Sequence, residues 1–79
     1  MKTAIIFTTI GCGKCKTLGR KVSAASVEYA VTYVNGDDYP ETAAEYGITH
    51  YPTTVFFIND RVELIEPSMI LAYKKLTNS

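Results

Sequence analysis

Two cysteines, one histidine, three prolines and no tryptophan stand in a chain of 79 residues, and acidic and basic residues cancel at eight each. Most of these scarcities exclude something. A small secreted domain that relies on cross-links carries four, six or eight cysteines, so this is not a disulfide-stapled scaffold. A net charge of zero leaves no basic surplus of the kind that holds nucleic acid by its phosphates. No apolar run approaches the roughly 20 residues that span a bilayer, so no membrane partner is expected. The N-terminal apolar stretch is broken by Thr8 and Thr9 and runs into the basic segment 14–21, which is not the form of a secretory signal. A cytoplasmic protein is the expectation, and two thiols in a reducing compartment point to catalysis or metal binding before cross-linking. Hydrophobic content of 47% and charged content of 20% argue against disorder. A chain this short buries roughly 60% of its unfolded surface, so residues 1–79 are read as one domain with one modest core.

What is present has a clear order. Ala4, Ile5, Ile6 and Phe7 form a continuous apolar run, the pattern of a strand covered on both faces. Gly11 and Gly13 punctuate the turn that follows. Over 12–25, Cys15, Leu18, Val22 and Ala25 recur at helical spacing, with Lys14, Lys16, Arg20 and Lys21 on the other faces. The β-rich stretch 28–34 predicts a second strand, and Asn35, Gly36, Asp37 and Asp38 a loop. Pro40 and Glu41 suit the first turn of a short helix that Gly47 closes. Residues 53–58 predict a third strand, and Asn59 with Asp60 a tight hairpin to a fourth that begins near Val62 and stops at Glu66, Pro67 and Ser68. Met69, Ile70, Tyr73 and Leu76 give one apolar face to a last helix, with 77–79 frayed. The order β-α-β-α-β-β-α makes an α/β fold with a four-stranded mixed sheet and helices on both faces. Its first two strands lie parallel through a right-handed crossover.

The chemistry lies in Cys12-Gly13-Lys14-Cys15, placed where a predicted strand gives way to a predicted helix. A thiolate is the nucleophile in disulfide exchange, and a helix N-terminus offers it unpaired N–H groups and the positive end of the dipole. Cys12 sits at that end, where its thiol is held below the ordinary value of about 8.5. Lys14 and Lys16 add positive charge, and Gly13 with Lys14 separates the two thiols. Cys15, three residues on, lies within reach of a mixed disulfide formed on Cys12. Zinc is the poorer reading, because a tetrahedral site wants four ligands and His50 is the only histidine; no metal is expected. Two inert buried thiols are the other alternative. The strand–CxxC–helix setting favours redox chemistry.

A second stretch carries a family resemblance. Tyr46, Gly47 and Ile48, three further residues, then Pro52 and Thr53, followed by Val55, Phe56, Phe57 and the turn at Asn59, resemble the thioredoxins in register. Asp37 and the run Pro40, Glu41, Thr42, Ala43 fit the segment before it, and with the CxxC pair the likeness covers most of residues 4–65. The lowered thiol at a helix N-terminus is itself a known property of thioredoxins. The resemblance implies a minimal thioredoxin fold and a dithiol protein disulfide reductase, with Cys12 as nucleophile, Cys15 as resolving thiol and Gly13, Lys14 and Lys16 as tuning residues. It implies a cis bond between Tyr51 and Pro52, so that Tyr51, Pro52 and Thr53 present backbone to an extended substrate segment. It implies no bound cofactor, electrons from NADPH through a thioredoxin reductase, disulfide-bearing protein substrates and a monomer.

The departures from that family are informative. Gly11 stands where thioredoxins carry tryptophan, and Ile6 where they carry a buried aspartate, so the proton acceptor for Cys15 is missing; Thr9, Tyr33, His50 or a water are the candidates. In length the chain resembles glutaredoxins, which would draw electrons from glutathione. Glutaredoxins favour Pro-Tyr between the cysteines and a Gly-Gly pair where this chain has Glu66, Pro67 and Ser68. The Glu66 carboxylate repels an anionic tripeptide, although Lys14 and Lys16 attract one. Small glutaredoxin-like proteins that feed ribonucleotide reductase share this size and mixture, which implies that enzyme as a partner. A glutathione-dependent glutaredoxin and a non-catalytic binding module remain the alternatives. The zero net charge conceals a segregation. Residues 1–27 hold five basic residues and no acid, while 28–66 hold all eight acids and one arginine, Arg61. Around Cys12 this is either a steering field or a merely solvated helix face.

Overall fold

The apolar run at the N-terminus becomes β1 (Lys2–Thr8), an inner strand of the sheet. The computed structural model, which describes residues 1–78, continues with α1 (Gly13–Ala24), β2 (Ala30–Asn35), α2 (Pro40–Glu45), β3 (Thr53–Ile58), β4 (Arg61–Glu66) and α3 (Met69–Thr77). The element order and the mixed sheet are those predicted. Strands lie in the order β2-β1-β3-β4, with β1 and β2 parallel and the other two pairings antiparallel.

Alternation along β1 builds two cores. Ala4 and Ile6 face one side, where they meet Leu18 and Val22 of α1, Phe56 of β3, and Ala72 and Leu76 of α3. Phe7 faces the other side and packs with Val55, Ile48 and Ala43 of α2. Phe7, Phe56 and Leu18 are fully buried. Each contributes about 1.5–3 kcal/mol through the area it removes from water. The turn between β3 and β4 follows from its two residues. Asn59 (φ 49°) and Asp60 (φ 67°) both take the left-handed conformation that a two-residue hairpin of matching twist requires.

Boundaries and faces differ from expectation in four places. β2 starts at Ala30 because Tyr29 turns into the core, packing edge-on against Phe56 at 5.1 Å, while the Glu28 N–H donates to the Leu76 carbonyl at 3.0 Å. At its other end β2 takes in Asn35, which pairs with Thr8 and so is strand, not loop. In α3 the buried arc is Met69, Ala72, Tyr73 and Leu76; Ile70 lies one residue off that arc and is 66% exposed. Thr77 is helical, its hydroxyl donating to the Tyr73 carbonyl at 2.8 Å, and Asn78 closes the helix in the left-handed conformation; the third residue expected to fray, Ser79, lies outside the described residues.

A bulge in the β3–β4 ladder leaves Glu63 without a partner on β3. Its carboxylate instead accepts from the Lys75 ammonium (3.1 Å) and the Tyr29 hydroxyl (3.1 Å), tying β4 to α3. The Lys75 hydrogen bond, aided by Tyr29 and against some desolvation, holds the Glu63 carboxyl below its ordinary 4.5. A carboxyl lowered on folding contributes stability above its unfolded value and loses it as pH falls through the folded one. Urea denaturation of Glu63→Gln should therefore show a smaller loss of stability between pH 6 and pH 3 than the parent; equal losses would detach Glu63 from the acid response.

Candidate active site

The strand–helix junction after β1 carries the redox pair. Cys12 is the N-cap of α1, with extended backbone (φ −87°, ψ 105°), and its Sγ accepts from the Cys15 N–H at 3.1 Å. That position ordinarily holds the oxygen of Ser, Thr, Asp or Asn, which satisfies one of the helix's free N–H groups; here sulfur does so. Cys12 and Cys15 form a disulfide across a Cα separation of 5.3 Å. Cys15 is 7% exposed, whereas Cys12 is only half-buried and is the more exposed of the two. Gly13, Lys14 and Lys16 are exposed around the pair, and the first turn contains no acid. Helix end and lysines act in the same direction, toward negative charge on Cys12.

The loop before β3 closes over this pair. The Tyr51 carbonyl oxygen lies 3.9 Å from Cys12 Sγ, near enough to accept from the thiol once the disulfide is reduced. The Tyr51–Pro52 bond is cis, Pro52 and Thr53 are buried, and the Thr53 hydroxyl donates to the His50 carbonyl at 2.7 Å, which pins the loop. Cys12, Tyr51, Pro52 and Thr53 are thus brought together from two distant stretches of chain.

The candidates for proton transfer at Cys15 are placed otherwise. The Thr9 hydroxyl is committed to Asp37 at 2.6 Å. Tyr33 is 46% exposed, its hydroxyl lying over Gly19 on the side of α1. His50 is exposed and lines a surface groove with Lys14, Pro52 and Pro67, in which Cys15 takes no part. Ile6, at the position of the family's buried aspartate, is 0% exposed in an apolar cluster.

Two residues of the loop after β2, Asp37 and Gly36, shape the site. Asp37 accepts from both the Thr9 hydroxyl and the Ile10 N–H (3.1 Å), which fastens the segment entering Cys12; these bonds hold its carboxyl below the ordinary 3.8. Gly36 is buried and its N–H donates to the Thr8 carbonyl at 2.8 Å. A Cβ there would lie 2.6 and 2.7 Å from Cζ and Cε1 of Tyr51, and closer still to the Tyr51 hydroxyl. Gly36 is therefore required for space, as the seat of the Tyr51 ring. The family likeness offered a signal for Asp37; the aromatic Tyr51 paired with Gly36 leaves none in one sequence.

Among the described residues no group of three His, Cys, Asp or Glu could hold a metal ion, and no helix is long and apolar enough to cross a membrane.

Comparison with known proteins agrees with this geometry. The family model for thioredoxin matches residues 2–74. A thioredoxin of Porphyra purpurea is 39% identical over 59 residues, covering 68% of this chain and 55% of that protein. This chain accordingly spans about half the length of the curated relatives it matches. The X-ray structure of Fasciola hepatica thioredoxin superposes with a TM-score of 0.79 at 24% identity, over 98% of this chain and 79% of that one. Schistosoma mansoni thioredoxin gives the same TM-score at 21% identity, over 98% and 75%. Those two likenesses concern the fold, whereas the family model spans both the CxxC helix and the Tyr51–Thr53 loop, and on that basis the chain belongs to the thioredoxin family.

Proposed function

We propose that this chain is a dithiol–disulfide oxidoreductase that reduces disulfides in other proteins. One observation carries the reading: a half-buried cysteine at a helix N-cap is disulfide-bonded to a buried cysteine three residues on, with the Tyr51 carbonyl beside it. In the reduced protein the Cys12 thiolate attacks a substrate disulfide. One S–S bond breaks, a mixed disulfide forms on Cys12, and the first substrate thiolate departs. Cys15 then attacks Cys12 Sγ, releasing the second substrate thiol and leaving the Cys12–Cys15 disulfide. The substrate gains two electrons and the protein loses two. With Ile6 in place of an acid, the Cys15 proton passes to the second substrate sulfur, which therefore departs as the thiol. The two sulfurs carry the electron pair, so the chemistry needs no bound cofactor.

Substrate presentation falls to Tyr51, Pro52 and Thr53, of which Tyr51 has its carbonyl 3.9 Å from Cys12 Sγ, for an extended segment to approach. The reading includes a cytoplasmic, reducing setting, a monomer, ribonucleotide reductase among possible acceptors, and a thioredoxin-reductase-type donor. Against glutathione as donor stand Gly13 and Lys14 in place of the Pro-Tyr that glutaredoxins favour between the cysteines, and Glu66, Pro67 and Ser68 in place of their Gly-Gly pair. The test supplies the oxidised protein with NADPH and either thioredoxin reductase or glutathione plus its reductase, with a protein disulfide as acceptor. NADPH consumption with the first couple is expected. Turnover with glutathione alone would make the chain a glutaredoxin, and turnover with neither would leave a binding module.

A further inference from the structure

We propose that a notch between α1 and α3 selects the substrate protein, by receiving one apolar side chain followed by acidic residues from the segment that carries the disulfide. This rests on the oxidoreductase reading. From Pro52 the surface runs past Pro67 to Ile70, with Lys14 on its edge. There it joins the notch, which is lined by Leu18, Met69, Ile70 and Tyr73 together with Lys21 and Lys74. Tyr51, whose carbonyl lies 3.9 Å from Cys12 Sγ, lines the groove, and Met69 and Ile70 line both groove and notch, so a peptide chain passing Tyr51 and Pro52 arrives in the notch. At about 220 Å3 the notch is smaller than the ~300–1,000 Å3 of small-molecule sites and suits a single side chain.

Charge names the occupant. Neither α1 nor α3 contains an acidic residue, and no carboxylate lines the notch or the groove leading to it. Among the described residues the ion pairs are Lys2–Glu28 and Lys75–Glu63, so Lys14 on the groove and Lys21 and Lys74 on the notch stand without a carboxylate partner. Lys21 is held at the notch, its ammonium 5.4 Å from the centre of the Tyr73 ring. Glu66, the acid nearest in sequence, is turned onto the Ser68 N–H. A merely solvated helix face would carry polar side chains; this one carries Ile70, 66% exposed, in the same notch as Lys21 and Lys74. A segment bearing an apolar residue and carboxylates covers Ile70 and relieves the like-charge repulsion together.

The test uses three peptides, each a mixed disulfide with nitrothiobenzoate, identical except for a tail of Leu-Glu-Glu, Leu-Ser-Ser or Leu-Lys-Lys. The reduced protein is added and release of the coloured thiolate is timed. The Glu tail is expected to react about tenfold faster than the Lys tail at low ionic strength, with the gap closing in salt. In the Lys21→Glu, Lys74→Glu double variant the ratio of the two rates should invert. Equal release from all three tails would overturn the notch and leave the oxidoreductase reading intact. No release from any tail would remove both. A Glu preference erased by free glutathione, or by raising the protein concentration, would give the notch to that tripeptide or to a second copy of the chain.

Discussion

Cys12→Ser is expected to reduce disulfide turnover to the uncatalysed background, whereas Cys15→Ser is expected to stop it after one attack and leave a covalent adduct. The asymmetry comes from exposure and from the helix. Cys12 is the more exposed of the two cysteines, and it alone sits at the helix end where the Cys15 N–H and the dipole stabilise negative charge. Serine at 12 has no thiolate to offer near neutral pH, and Cys15, 7% exposed, cannot take its place. Serine at 15 leaves the first attack untouched and removes the only thiol placed to resolve its product. The mixed disulfide then persists at about one equivalent of partner per Cys12, because exchange stops without an attacking thiolate. Intact-mass measurement after incubation with an oxidised protein substrate reads this directly. A Cys15→Ser protein that traps nothing, with Cys12 still accessible to alkylation, would overturn the two-thiol mechanism. Full activity in Cys12→Ser would remove Cys12 from the nucleophile's role.

Which parts of this site were legible depended on how local their causes are. A thiol at the start of a helix is written in the short run 12–22, since the apolar stripe of Cys15, Leu18 and Val22 sets the helix and the spacing sets its end. The hairpin at Asn59 and Asp60 is equally local, because those residue types tolerate positive φ. Ile70 and β2 were harder. A helical stripe leaves about 100° of freedom in choosing its face, and only the packing of α3 on Phe56 and Leu18 decides that Ala72, and not Ile70, turns inward. Tyr29 belongs to the core through Phe56 and Glu63, residues 27 and 34 positions away, which no periodicity within 28–34 can register. Proton transfer at Cys15 had the same difficulty. Thr9 was a fair candidate by sequence until its hydroxyl was found on Asp37, 28 residues downstream.

Gly36→Ala is expected to damage the site from outside the CxxC pair, slowing attack by Cys12 while leaving both cysteines in place. Its backbone is outside the left-handed region, so alanine meets no conformational penalty there; the obstacle is the Tyr51 ring, which a Cβ would meet at 2.6–2.7 Å. Carbon atoms do not approach so closely, and Gly36 is fixed by its N–H bond to the Thr8 carbonyl, so the ring is the part that moves. Displacing it shifts the residue whose carbonyl lies 3.9 Å from Cys12 Sγ and disturbs the packing of Tyr51 against Phe7, Ile48 and Val55. Overpacking of this kind costs about 1–3 kcal/mol of stability. A displacement near 1 Å at a reacting group costs up to about 100-fold in rate. Tyr51 is the mediator, which a second substitution tests. In Gly36→Ala, Tyr51→Ala the ring is gone and the methyl has room, so the double variant should be no less stable to urea than Tyr51→Ala alone, and the two changes should be strongly non-additive. Additive losses, or a Gly36→Ala protein that matches the parent in both urea midpoint and rate of nitrothiobenzoate release, would mean that the Tyr51 seat does not position the loop against Cys12.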